Sequence, residues 1–302
     1  MTSKERIYRF LHLDKIKSRI LKEKVLKYYE KEESAKDYQR ELEYIKKNNC
    51  QTFNDEFTEK YKSVEYNIEF DKKVNMYYIM HNDKKLYFKR GMTKREVQEY
   101  YKSLKVEQDE KSPHCYQIQR LRMNSYRKIL DIGAAEGIFA LDMIDRCDEV
   151  IMYEYDSRWI DALEKTFEPY QNKIRIVKCY VSDRDEGIEK TLNKMLVAEE
   201  DIDLIKMDIE GAEVRAIIGA LEVLNRNKQA LILICVYHNA KDEEKIRNLL
   251  TDYQITMNAG KMIYPNRYPL CISKLRLEVR IDCENDSFFT NGVIFAKYEG
   301  DK

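Results

Sequence analysis

Beyond residue 127, short apolar runs alternate with segments whose apolar residues recur every three or four positions. The runs at 129–132, 150–153, 174–181, 202–207 and 230–237 predict strands. Most are too continuously apolar for a sheet wetted on one face, so parallel strands covered on both faces are expected. Between them, Trp159, Ile160, Leu163 and Phe167 mark one helical face, and Ile188, Leu192, Met195 and Leu196 a second. Val214, Ile217, Ile218, Leu221 and Leu224 mark a third, and Ile246, Leu249, Leu250 and Tyr253 a fourth. Strand–helix alternation on this pattern predicts an α/β fold with a doubly wound, mostly parallel sheet. After Tyr253 the rhythm changes. The β-type segments 254–264, 275–281 and 293–298 follow one another without room for helices, which predicts an antiparallel closing strand within 293–298.

The first third of the chain reads differently. Residues 14–48 contain neither Gly nor Pro, and Ile16, Ile20, Leu21, Val25, Tyr28 and Tyr29 fall at helical spacing. One or two charged amphipathic helices are expected there. Residues 74–80 and 86–88 flank His81-Asn82-Asp83-Lys84 as a β-hairpin would. Thr93 and Glu96 form a capping-box pair opening a helix that runs to Lys105. The polar stretch 107–114, with Pro113, then serves as a linker or lid. The chain accordingly divides into an accessory region, 1–120, and a ligand-binding region, 121–302.

Composition narrows the function. Lys+Arg and Asp+Glu are both 54 in 302 residues, so no whole-chain basic field invites nucleic acid. No apolar run approaches the roughly 20 residues needed to span a bilayer, and the charged start Met1–Arg6 does not read as a secretion signal. Seven scattered cysteines, none in a C-x-x-C pair, argue against a zinc ribbon or a disulfide framework and fit a reducing cytoplasm. The charged N-terminal helices are the expected route of any self-association.

The chemistry gathers at strand ends. The first strand runs into Asp131-Ile132-Gly133-Ala134-Ala135-Glu136-Gly137. Gly133 and Gly137 allow a sharp turn and close backbone approach to a ligand, but their spacing is not the dinucleotide fingerprint G-x-G-x-x-G. Asp131 could face a cationic amino-acid tail. Glu154 ends the second strand, 21 residues after Gly133, where an acid can accept hydrogen bonds from ribose hydroxyls. Ser182 and Asp183 follow the third strand, beside the expected base pocket, although a turn would favour them in any case. Asp208 and Glu210 end the fourth strand within Asp208-Ile209-Glu210-Gly211-Ala212-Glu213, and His238 ends the fifth.

The run Asp131–Gly137, the run Asp208–Glu213 and Ile234–His238 together resemble the FkbM family of methyltransferases that use S-adenosylmethionine (SAM). The resemblance covers residues 106–264. It implies a class I, Rossmann-like methyltransferase fold, SAM as methyl donor, and a small-molecule or glycan acceptor hydroxyl on a sugar or secondary metabolite. By position it assigns Asp131, Gly133 and Gly137 to the cofactor turn and Glu154 to the ribose; Ala134 and Ala135 of the same turn, and Ser182, Asp183 and Asp208 at the neighbouring strand ends, are expected to join them at the cofactor. It leaves Asp208, Glu210 and His238 for catalysis, with His238 ranked first as general base for its ordinary pKa of about 6.5. Asp208 and Glu210 could hold a hard cation, but no further ligand cluster joins them in the sequence, so no metal is expected. Two other readings share the fold: a nicotinamide-dependent oxidoreductase, and a non-catalytic scaffold on a methyltransferase fold.

Overall fold

The computed structural model describes residues 3–198, 201–265, 270–273, 276–279 and 287–299, without side chains at 3–14 and 270–279. The N-terminal region opens with α1 (Ser3–Tyr29) and α2 (Gln39–Lys47). The strands β1 (Ile68–Asp71), β2 (Met76–His81) and β3 (Lys84–Tyr87) form an antiparallel sheet in that order. The expected hairpin is present, with both turn residues, Asn82 and Asp83, at positive φ (49° and 64°), as a tight two-residue connection demands. Both hydrogen bonds of the capping box form at the start of α3 (Lys94–Glu107), and α4 (Ile118–Leu121) is a single turn.

The strands and helices of the second region follow in register with the apolar runs: β4 (Tyr126–Ile132), α5 (Ile138–Met143), β5 (Cys147–Glu154), α6 (Ser157–Thr166) and β6 (Ile174–Lys178). Two short strands, β7 (Tyr180–Val181) and β8 (Glu189–Lys190), pair with each other before α7 (Leu192–Met195). Then come β9 (Ile202–Met207), α8 (Glu213–Ile218), α9 (Leu221–Arg226), β10 (Leu231–Cys235), α10 (Asp242–Leu249) and β11 (Tyr253–Met257). Of the segment expected at 275–281, residues 276–279 form β13 (Arg276–Val279), paired with β12 (Leu270–Ser273), and the others lie outside the described residues. The last strand is β14 (Val293–Tyr298).

The central sheet has the order β11-β14-β10-β9-β4-β5-β6. From β10 to β6 all neighbours are parallel, and β14 enters antiparallel to both β10 and β11. This is the class I methyltransferase arrangement. The chain starts in mid-sheet at β4, moves out through β5 and β6, and returns to the other side with β9. The β4/β9 boundary is therefore the switch point, where an α/β sheet opens a crevice at its carboxyl edge.

Alternation along the strands divides the core in two. Ile129, Met152, Leu204 and Leu233 face one side with Phe139, Trp159 and Leu163, and the hairpin, α3 and residues 53–57 pack over this same cluster. Leu130, Ile151, Ile205 and Ile232 face the other, under Ala216, Ile217, Leu224 and Ile246. A third cluster joins Leu21, Val25 and Tyr29 of α1 to Ile263, Phe288 and Phe289. Among the described residues, no helix is long and apolar enough to cross a membrane.

Two expected helices differ. The one read through Ile188 shrinks to α7, because residues 182–190 spend their polar groups on an ion-pair turn and Ile188 stays exposed. The one read over 214–224 breaks into α8 and α9 at Gly219, where a β-carbon would collide with the Ser182 carbonyl.

Candidate active site

A cavity of about 610 Å³ opens over the carboxyl ends of β4, β5 and β9. Its size lies within the range of small-ligand pockets. The turn after β4 forms its floor, with Gly133, Ala134, Ala135 and Glu136 all lining it. Gly133 has φ 78°, and a β-carbon there would strike the Asp208 carbonyl, so only glycine lets the first strand tip nest against the fourth. Gly137, also at positive φ (84°), packs against Leu163 and Phe167 rather than lining the cavity.

Glu154 lines the cavity and is nearly buried. Its Oε2 accepts from the Ala135 N–H at 2.9 Å, and its Oε1 accepts from the N–H groups of Tyr155 and Asp156, both at 2.8 Å. A carboxylate offers about four acceptor positions. Three are taken, which leaves room for one ligand hydroxyl rather than two. Tyr155, Cys179, Tyr180 and Val181 continue the wall beyond it. Ser182 and Asp183 turn away: Ser182 Oγ donates to Glu189 Oε2 at 2.7 Å, and Asp183 pairs with Arg215 at 2.8 Å.

Asp131 does not reach the cavity. It is fully buried, with Lys206 Nζ 3.0 Å from its Oδ1. Lys206 does line the cavity and donates to the Gly133 carbonyl at 2.6 Å. Burial alone would strip its proton, but Asp131 and Asp208 outweigh that and hold it as a cation. The charge read in the sequence as Asp131 is thus presented to a ligand as lysine. Lys206 was legible as an anomaly, a cation inside a strand buried on both faces.

At the other end stand Asp208 and Glu210, both lining the cavity. Asp208 Oδ2 accepts from the Tyr116 hydroxyl at 2.9 Å and lies 3.7 Å from His114 Nε2, while Oδ1 lies 3.4 Å from the Tyr237 hydroxyl. Burial works to raise this carboxyl, but His114, Lys206 and His238 prevail and hold it well below the usual carboxylate range. His114 Nε2 is 3.1 Å from the Tyr237 hydroxyl. Residues 107–116 are therefore no loose linker: Ser112, His114 and Tyr116 are buried, and the Val293 N–H donates to the Pro113 carbonyl at 3.0 Å.

His238 lies behind this wall rather than in it. Its ring is buried, with Nδ1 2.9 Å from Glu213 Oε1 at an angle too poor for a hydrogen bond. Burial would lower its pKa, but the Glu213 carboxylate reverses this and holds it above its ordinary value. Glu107, read in the sequence only as the start of the linker or lid, lines the cavity at the end of α3. Burial pushes its carboxyl up to about 7. Tyr100, about two turns earlier on the same face of α3, donates to Glu136 Oε2 at 2.7 Å. His81, at the end of β2, is buried between Tyr101 Oη (2.7 Å) and Asp142 Oδ1 (2.9 Å).

No curated protein matches this chain in sequence. Among solved structures, an rRNA methylase from Streptococcus thermophilus is 12% identical, with a TM-score of 0.40 over 62% of this chain and 97% of that one. A precorrin-6y C5,15-methyltransferase from Geobacter metallireducens is 13% identical, with a TM-score of 0.39 over 60% and 86%. A methyltransferase from Podospora anserina, in its SAH-bound form, is 14% identical, with a TM-score of 0.38 over 61% and 76%. A family model described as the methyltransferase FkbM domain matches residues 180–257, from β7 through β11, and with it the family implies SAM as cofactor. The stretch that carries Asp208, Glu210 and His238 is the part of the chain that matches the FkbM methyltransferase domain model.

Proposed function

We propose that this chain is a SAM-dependent O-methyltransferase whose acceptor is a hydroxyl on a sugar, glycan or secondary metabolite. One observation carries the reading: a single cavity at the sheet's switch point has Glu154 at one end and Glu107, Asp208 and Glu210 toward the other. The residues fit the cofactor. The free acceptor position of Glu154 suits one ribose hydroxyl, Tyr155, Tyr180 and Val181 suit the base, and the Gly133–Glu136 turn with Lys206 suits the amino-acid tail. When bound, SAM supplies a methyl group on a sulfonium that is already an activated leaving group.

The protein's task is then to hold an acceptor oxygen in line and take its proton. Asp208 is ionised and aimed into the cavity by Tyr116, so it can accept the hydroxyl's hydrogen bond. Its low pKa makes it a weak base. Glu107, with its pKa near 7, is better matched to receive the proton. His238 does not line the cavity and acts through its neighbours, as a positioning residue. The five cysteines described are buried and unpaired, which supports a cytoplasmic location.

The test has two arms. Calorimetry with SAM on wild type and Glu154→Gln should show affinity weakened by about 1–3 kcal/mol, the worth of a hydrogen bond to a charged acceptor. Incubation with methyl-labelled SAM and fractionated glycan and metabolite pools should move the label onto an oxygen. No SAM binding by the folded protein would end the reading, and label found only on nitrogen or carbon would end its O-methyl part.

A further inference from the structure

A second cavity, of about 330 Å³, lies beside the first. Leu104, Gln108 and Ile138 line both, so these three side chains form the sill between them. Gln108 directly follows Glu107, the proton acceptor proposed above, at the end of α3. Glu154, at the other end of the first cavity, does not line the second. The second cavity therefore adjoins the reacting end rather than the cofactor end. Its size falls at the lower end of the range for small-ligand pockets.

Asp142 in its lining is held from two sides. Its Oδ1 lies 2.9 Å from His81 Nε2 and accepts from Asn82 Nδ2 at 2.7 Å. His81 is 4% exposed and is fixed in turn by the Tyr101 hydroxyl, 2.7 Å from its Nδ1. Asp142 Oδ2 has no donor among the described residues, although the side chain is only 11% exposed. A carboxylate with one oxygen spent and the other open is an oriented acceptor. Lys105, half-buried in the same lining, has no carboxylate or hydrogen-bond partner among the described residues, so its ammonium is an open donor. Leu104, Ile118 and Ile138 supply aliphatic surface between these groups.

Charge and shape then select the ligand. Lys105 and Arg120 in the lining are balanced by Glu110 and Asp142, which favours neither an anion nor a cation. No Phe, Tyr or Trp among the described residues lines the space, so a flat aromatic ligand finds no ring to stack on. Directed donors and acceptors around aliphatic surface suit a neutral ring with hydroxyls at its edge and C–H groups on its face. We propose that the second cavity holds a neutral sugar ring adjoining the one that is methylated, so that the acceptor is a glycan of at least two sugars rather than a free monosaccharide. That this ring belongs to the acceptor rests on the methyltransferase reading. Sugar binding in the cavity does not.

The full-length protein, with S-adenosylhomocysteine present, is titrated with maltose, cellobiose, lactose and N,N′-diacetylchitobiose, and with the monosaccharides of each, by saturation-transfer difference NMR. At least one disaccharide should bind about tenfold more tightly than its monosaccharides, the worth of one hydrogen bond to a charged group, with transfer to both rings. Gln119→Trp, an exposed change that fills the second cavity, and Lys105→Met should each remove that advantage. Neither residue lines the first cavity, so SAM affinity by calorimetry should stay at the wild-type value in both. Circular dichroism on each variant confirms the fold. Failure of all these disaccharides to bind the folded wild type overturns the proposal, as does a preference that survives Gln119→Trp. Label from SAM that enters a monosaccharide with the same kcat/KM as its disaccharide overturns it too, and leaves the enzyme standing. Disaccharide binding lost in both variants, with no label transferred to any glycan, supports the sugar site and removes the O-methyl reading.

Discussion

Lys206 and Glu107 show how far a residue's meaning depends on what the fold puts beside it. Lys206 sits in an apolar strand, paired at 3.0 Å with a fully buried Asp131. Removing one partner of a buried pair leaves the other charge uncompensated, at a cost of about 3–5 kcal/mol. Lys206→Met should lose that much in urea unfolding, and Asp131→Leu in the same chain should restore most of it; a double variant as unstable as the single one would refute the pairing. Glu107 titrates near 7 because burial disfavours its charge. Unfolded, it returns to about 4.3. The folded state therefore holds the proton more tightly, and the group's contribution to stability, complete below about 4.3, is lost as pH rises through about 7. The urea midpoint of wild type should fall between pH 5 and pH 8 more than that of Glu107→Gln. Turnover should rise with pH through about 7 as the carboxyl ionises. Glu107→Gln should lower it about 10²–10⁴-fold and erase that limb; a rate–pH profile unchanged in the variant would remove Glu107 from the chemistry.

Elements read from periodicity came through where the pattern is local. The strands β4, β5, β9 and β10 lie on their apolar runs, the capping box opens α3, and the closing strand β14 falls within 293–298. What failed to show was decided by contacts between distant segments. The break between α8 and α9 follows from the approach of Gly219 to Ser182, and β1 from pairing with β2. The site divides in the same way. Acids at strand tips are visible because an apolar run ends at them. The segment 107–114 reads only as a linker or lid, and the roles of Glu107, His114 and Tyr116 stay hidden because residues 107–116 reach the site only by folding across the sheet edge to lie beside Asp208 and Val293. That loop yields a prediction. Gly292 lies against the Pro113 carbonyl and the His114 N–H, so a β-carbon there has no space. Gly292→Ala should destabilise by about 1–3 kcal/mol, the usual cost of overpacking. It should also raise amide exchange at residues 107–116 well above wild type. Exchange there equal to wild type would mean that the loop does not depend on the β14 edge.

Whether residues 1–120 form a unit apart from the sheet is a question about cooperativity, and the packing argues for one unit. The hairpin and α3 share a continuous apolar cluster with the sheet face that holds Ile129, Met152 and Trp159. At the opposite end of the N-terminal region, Tyr29 of α1 is buried. Its ring is 5.3 Å from that of Phe289 and 5.2 Å from Tyr38, and its hydroxyl is 2.6 Å from Ser287 Oγ. Truncating a buried aromatic residue costs about 3–5 kcal/mol. If α1 and the sheet unfold together, that loss must be felt throughout the chain. Trp159, the single tryptophan, sits in α6 against Tyr100 and the sheet, in a different cluster from Tyr29, and its fluorescence reports that shared cluster rather than α1. In Tyr29→Ala, the urea midpoint followed by Trp159 fluorescence should fall by the same amount as the midpoint followed by far-ultraviolet circular dichroism, as one cooperative transition requires. A Trp159 midpoint left at its wild-type value, with an earlier separate step in the dichroism, would instead show α1 unfolding on its own and restore a domain boundary within the first 120 residues.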